Sequence, residues 1–453
     1  MKRREFLVAG AGALAAAAVR AQPARRRQVL LKGGCVLTLD PRLGDFDAAD
    51  VLIDGDRIAA VGPNLQAANA QVIDASRAIV MPGLVDTHRH MWEGALRGIL
   101  PDGLLSDYTR DITGAARAIF RPEDAHAGDL VSALGAINAG VTTVLDWSHI
   151  GNSPEHTDAA IAGLRESGLR AVYAFGGGAP GARNQFPQDI RRLRTQYFSS
   201  SDQLLTLAMA TAPDLPSWAV ARDVGAPITM HVNGAGALLP VARQMKADCT
   251  YIHCNNLTED EWKLVASSGG HVSIAGPIEM EMGHGVPPFQ QALAHGIRPS
   301  LSVDVETEMP GDLFNQMRTC FTLQRMQVLA RERAGENNLP KLLTVKDVVQ
   351  FATIEGARAN ALDSKIGTLT PGKQADVILL RHDRINTLPL NNAYGAVVLN
   401  MDTSNVDTVF IAGKMMKSGG QLVGVDVARV QRMAAASRDY ILSKTGWPTS
   451  RVR

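Results

Sequence analysis

Eight short apolar runs separated by stretches of helical spacing constrain this chain more than any other feature. They cover residues 79–88, 141–147, 169–176, 204–211, 227–233, 248–255, 271–275 and 299–304, and the stretches between them include 122–139, 157–167 and 258–268. A strand that is apolar on both faces needs cover on both, and amphipathic helices alternating with parallel strands supply it. Eight such units predict an α/β fold of the closed (β/α)8 type over residues 79–363. An open doubly wound sheet is the alternative.

The flanks read differently. Residues 28–39 and 50–61 alternate or run apolar around Lys32-Gly33-Gly34 and Asp54-Gly55-Asp56, a pattern of short strands and tight turns. A helix is expected over 345–362. Strand and turn composition then returns, through Gly367 to Leu380 and again at 406–411 before Ala412-Gly413-Lys414. Both flanks are therefore expected to pair into one composite β-sandwich built from residues 28–78 and 364–425. The last stretch, 426–453, is expected to hold a helix and tail that serve packing or a homo-oligomer contact.

Residues 1–21 have the layout of an export signal. Met1-Lys2-Arg3-Arg4-Glu5-Phe6-Leu7 precedes an alanine-rich apolar stretch at 8–19 that is too short to span a bilayer comfortably, and Val19-Arg20-Ala21 offers small residues for cleavage before Gln22. The Arg3-Arg4 pair followed by Phe6-Leu7 resembles a twin-arginine signal, which implies a periplasmic or secreted mature chain without a membrane span. A net charge of +1 and 5% aromatic residues offer neither an electrostatic field nor a stacking platform for nucleic acid. The four cysteines, Cys35, Cys249, Cys254 and Cys320, form no Cys-x-x-Cys pair and are expected to be free thiols.

A barrel gathers its chemistry at the carboxyl ends of its strands. The first run ends in His88-Arg89-His90, and residues two apart on a strand project to one side, so both imidazoles can reach one point. His231 ends the fifth run, His253 the sixth and Asp304 the eighth. Any one of them alone is explained by a satisfied core histidine or a helix cap. Five agreeing in place point to a transition-metal site with acid–base groups beside it. His149 and His284 follow the second and seventh runs and can reach the mouth. His271 begins a run and is read as structural.

With these residues in view the chain resembles the amidohydrolase superfamily, in its triazine hydrolase and cytosine deaminase-like group. The likeness rests on Pro82-Gly83-Leu84-Val85-Asp86-Thr87-His88-Arg89-His90, on Gly140-Val141-Thr142-Thr143-Val144, on the His231 and His253 runs, and on Gly367 through Asp376. It implies one divalent metal, zinc first with iron or manganese possible, held by His88, His90, His231 and Asp304. Asp304 would also orient the attacking water and take its proton, with His253 bonding water or substrate. The fourth run carries no lysine of the kind that bridges two metals in other members, which implies a single ion. One feature departs from the pattern. Deaminases of this group carry a glutamate three residues after the histidine of the fifth strand, and here Gly234 stands there. Glu306 is the expected substitute, with Glu279 and Glu281 as further candidates, and Trp92, Glu93, Arg97 and Asn233 are expected to contact a small-molecule substrate. The expected activity is hydrolysis of a non-peptide C–N bond (amide, carbamate or related). Deamination or dechlorination of an N-heterocycle is the alternative, and a catalytically lapsed binding protein the alternative of another class.

Overall fold

Both flanks of the chain meet in one sheet. The computed structural model describes residues 28–183, 185–450 and 452, so the export-type segment 1–21 lies outside the described residues. The amino-terminal strands are β1 (Gln28–Val36), β2 (Phe46–Asp54), β3 (Arg57–Gly62), β4 (Gln71–Asp74) and β5 (Ala78–Pro82). The barrel strands follow as β6 (Leu84–Arg89), β7 (Val141–Ser148), β8 (Arg170–Phe175), β9 (Leu205–Thr211), β10 (Ile228–Asn233), β11 (Cys249–Asn255), β12 (His271–Ile274) and β13 (Ser300–Leu301). The chain then returns through β14 (Val377–Arg381), β15 (Val406–Ile411), β16 (Lys414–Ser418) and β17 (Gln421–Leu422). The flanking strands form one continuous sheet in the order β17-β16-β15-β14-β5-β1-β2-β3, with β4 beside β1. Its own apolar core includes Val29, Leu31, Val51, Ile53, Val80, Val377, Leu379 and Phe410.

The first apolar run is not one strand. Residues 78–82 pair with β14 and β1 in the flanking sheet, whereas β6 begins two residues later and pairs with β7 in the barrel. Gly83 is the hinge between them: a Cβ there would lie 2.1 Å from the Thr142 hydroxyl oxygen, so only glycine lets the strands diverge at this point.

The eight barrel strands are parallel and ordered β6 to β13. β6, β7 and β8 are buried along their whole length, as strands covered on both faces must be. Closure comes beyond the end of β13, where the Asp304 amide donates to the His88 carbonyl at 2.9 Å and the His90 amide to the Asp304 carbonyl at 2.8 Å. The barrel is thus shut by the backbone of three expected site residues. The helix expected over 345–362 is two helices, Val345–Phe351 and Ile354–Ala359. The Val85 amide takes the Ala352 carbonyl at 2.9 Å, which diverts an acceptor that a continuous helix would need. Among the described residues no helix is long and apolar enough to cross a membrane.

Candidate metal centre and cavity

His88 and His90 leave the end of β6, His231 lies on β10, and Asp304 follows β13; each offers one ligand atom within 4.8 Å of the other three. His88 Nε2 lies 2.8 Å from Asp304 Oδ1 and 3.1 Å from His231 Nε2, and His90 Nε2 lies 3.4 Å from the same Oδ1. Ligand atoms about 2.0–2.2 Å from a tetrahedral ion stand roughly 3.3 Å apart, so these spacings suit a small divalent cation. The protonation pattern agrees. His90 Nδ1 faces the Trp147 carbonyl oxygen at 2.9 Å and carries its proton there, which leaves Nε2 bare toward the cluster. Burial drives the His88 imidazole down to about 3 against the pull of Asp304, and burial with the neighbouring imidazoles holds His231 well below its ordinary value. Both are therefore neutral donors. Burial alone would raise the Asp304 carboxyl, but His88 and His253 outweigh it and hold it well below the usual range. Three imidazoles and a carboxylate converging on one point fit the implied metal.

Asp304 and His253 both have left-handed backbone, at φ 70° each. Non-glycine residues rarely adopt this conformation, and it recurs where a side chain must be aimed. His253 Nε2 lies 3.6 Å from Asp304 Oδ2, and its Nδ1 meets Glu279 Oε1 at 3.0 Å. Burial disfavours a charged imidazole, but the Asp304 and Glu279 carboxylates prevail and the His253 value is raised. Glu279, expected as a substitute proton carrier, is fully buried behind His253 and orients it instead. Glu281 stands off the cavity, its carboxyl raised by burial and by Asp102.

The cluster opens into a cavity of about 700 Å³. His149, Asn233 and His284 line it, as expected of substrate contacts, together with His90, His231, His253 and Asp304. Trp92, Glu93 and Arg97 do not. Trp92 is fully buried and donates its indole N–H to His149 Nδ1 at 3.2 Å. Glu93 is sealed inside and accepts the Tyr108 hydroxyl at 2.6 Å. Burial, then Glu308, Asp304 and Glu306, push its carboxyl well above the ordinary range. His90, Glu93 and His149 also form a ligand-capable group, but it shares His90 with the first cluster and so adds no independent site. Arg97 turns away to Glu306, at 2.8 Å, and to the Val131 carbonyl.

Glu306 does not replace the missing glutamate. It is buried off the cavity between Arg97 and, at 3.7 Å, Arg89. Burial would raise its carboxyl, but the two guanidiniums overcome this and lower it, so it is a fixed counter-ion. Gly234, at φ 90°, places no side chain there. Residues not foreseen on the cavity include Tyr108, Arg117, Trp147 and Asp214. Trp147 closes the second apolar run and was open to the same strand-end reading. Tyr108, Arg117 and Asp214 belong to loops and short helices that no periodicity marks.

The amidohydrolase family model matches residues 79–416. The chain belongs to the amidohydrolase family. It is a hydrolase of C–N bonds other than peptide bonds, as the sequence implied. The chain is similar to a 5'-deoxyadenosine deaminase of Methanosarcina mazei, 25% identical over 92% of this chain and 99% of that one. It is also similar to a 5-methylthioadenosine/S-adenosylhomocysteine deaminase of Syntrophus aciditrophicus, 26% identical over 91% and 98%. Among solved structures it shares its fold with a zinc-bound adenosine deaminase of Xanthomonas campestris, at TM-score 0.80 and 22% identity over 93% and 100% of the two chains. The fold is also that of a zinc complex of atrazine chlorohydrolase from Arthrobacter aurescens, at 0.75 and 21% over 90% and 99%.

Proposed function

We propose that this amidohydrolase holds one divalent ion, zinc in the first place, on His88, His90, His231 and Asp304, and cleaves an amide- or carbamate-type C–N bond in a small molecule. The observation that carries this reading is the split role of Asp304. Its Oδ1 belongs to the ligand cluster, while Oδ2 faces His253, and both residues line the cavity. A divalent ion in such a site supplies a Lewis acid that brings the pKa of a bound water from about 16 to about 7. Asp304 Oδ2 accepts the water proton and returns it to the leaving nitrogen, which one carboxylate can do in sequence. His253, held by Glu279 with Nε2 toward the cavity, donates to the oxygen on which charge develops.

This route asks for no second carboxyl, in keeping with Gly234. Deamination of an N-heterocycle is the second reading. It is favoured by the deaminases similar to the whole chain, and it requires another group to serve the ring nitrogen. Metal analysis of purified protein tests the centre. About one ion per chain, lost in His88→Ala, is expected, whereas a folded wild-type chain that takes up no metal refutes this centre and the metal-assisted route with it. Turnover of amides and carbamates without ammonia or chloride release from substituted heterocycles is expected. The reverse pattern selects the second reading. We also propose that residues 1–21 direct export, and recovery of the full-length chain in the cytosolic fraction alone would refute it.

A further inference from the structure

With glycine at 234, the cavity wall has few groups able to meet a substrate atom beside the scissile carbon. Its carboxylates are Asp214 and Asp304. Asp214 caps the helix Leu215–Asp223, accepting the Ser217 amide at 3.3 Å, and Asp304 is committed to the cluster. His90 and His231 are ligand candidates, and His253 is spanned by Asp304 and Glu279. The Tyr108 hydroxyl is given to Glu93. Beside Arg117, Asn233 and the Trp147 indole N–H, two imidazoles remain. His284 has both ring nitrogens without a hydrogen-bond partner, so nothing among the described residues sets its tautomer. His149 differs.

The Trp92 indole N–H points at His149 Nδ1, at 3.2 Å. A neutral imidazole has one N–H; with Trp92 donating to Nδ1 the proton of His149 sits on Nε2, and the Trp147 carbonyl is the competing acceptor for an Nδ1–H. The ring lies against His90, with centroids 4.3 Å apart, and lines the cavity next to the metal cluster. The clamp is itself rigid. Trp92 packs edge-on against Phe120, with centroids 4.7 Å apart, and is fully buried. Its backbone is seated by the helix Pro122–Asn138, where a Cβ on Gly128 would lie 1.9 Å from the Trp92 carbonyl oxygen.

We infer that His149 is a hydrogen-bond donor to the substrate through Nε2–H, and that Trp92 is the positioning residue that fixes its tautomer. The acceptor is an sp² nitrogen or carbonyl oxygen attached to the carbon under attack. The ring gives up no proton. Negative charge gathering on the acceptor is met by a preorganised N–H, where a glutamate at 234 would have transferred a proton. The substrate role rests on the hydrolytic reading above, while the tautomer does not.

The test uses zinc-loaded protein labelled with 15N-histidine, with the His149 ring signals assigned by their loss in His149→Gln. An Nε2–H tautomer in the wild type that becomes a mixture in Trp92→Phe, at unchanged zinc content, is expected. A ring protonated at Nδ1, donating to the Trp147 carbonyl, overturns the inference. On a hydrolysed substrate, His149→Phe is expected to lower kcat about 100-fold with KM within about threefold, and His149→Gln, which keeps an N–H near Nε2, to recover most of it. Unchanged kcat in His149→Phe overturns the donor role. Absence of turnover by the zinc-loaded wild type across the whole panel refutes the hydrolytic reading and the substrate role with it. Turnover with the wrong tautomer refutes only this inference.

Discussion

At the scale of single residues, position along a strand proved more informative than residue type. His88, His90, His231, His253 and Asp304 were legible because each ends an apolar run, and a parallel barrel brings such ends together. Glu306 was misread for a physical reason. It shares strand parity with Asp304, yet the chain has already left β13, and the side chain faces the buried Arg89 instead of the cavity. Trp92 and Glu93 fall in the 3-10 turn Met91–Leu96 and Arg97 follows it, where strand parity says nothing about direction. Glu306→Gln should therefore keep kcat within about threefold, since no reacting atom loses a partner. The same change removes a charge that two guanidiniums face, at a cost of roughly 1–3 kcal/mol in urea unfolding. The sign with pH follows from the lowered carboxyl. Its contribution is complete above the ordinary glutamate value and is lost as pH falls through the depressed one, so the wild-type and variant stabilities should converge on acidification. A loss of turnover without a loss of stability would restore Glu306 to the chemistry.

Among the elements, the joint between sheet and barrel holds a buried pair. Asp376 ends the Gly-Lys-Gln-Ala-Asp stretch that the sequence marked, and its two oxygens take Arg170 Nε and an Arg170 terminal nitrogen, each at 2.8 Å, at the start of β8. Asp376 also accepts the Ala412 amide at 2.8 Å, so a single carboxylate ties β8 to the turn after β15. Arg170→Leu strands that carboxylate in the interior and should cost about 3–5 kcal/mol, while Arg170→Leu with Asp376→Leu should recover part of it. Equal destabilisation by single and double variants in denaturant melts would show that the pair is not coupled. A second tie is Lys417 on β16, which donates to the Asn138 carbonyl at 2.7 Å, at the end of the helix Pro122–Asn138. Burial lowers this ammonium to about 8, with Asp407 opposing. Between that value and the ordinary lysine value the unfolded chain binds the extra proton, so stability attributable to Lys417 rises with pH through this window. Lys417→Met should flatten the rise in urea melts taken across the window; an unchanged slope would mean the ammonium is not desolvated. The break of the helix at Thr353 was not legible in the sequence, because it arises from a backbone bond to Val85, distant in the chain.

The whole molecule places its metal candidates where its barrel is thinnest. β13 has two residues and reaches β6 through the Thr87 hydroxyl, which meets Ser300 and the Leu301 carbonyl, and through the Asp304, His88 and His90 backbone just beyond it, whereas β7 and β8 are held by six register pairs. His88 and His90 stand on one side of this seam and Asp304 on the other. The number of units and the continuous burial made the barrel readable from sequence, but where its seam lies is a property of closure that periodicity does not carry. A cation shared by ligands from both sides links binding to closure, because it binds the closed barrel and not the open one. Free ion at 1,000 times its dissociation constant would then stabilise the fold by about 4 kcal/mol. The effect should be local as well as global. Hydrogen exchange of the Asp304 and His90 amides should quicken on chelation far more than that of β8, which other strands hold on both sides. Uniform quickening across β6 to β13 would show that the ion stabilises the barrel without acting at the seam, and no change at either place would separate metal binding from closure altogether.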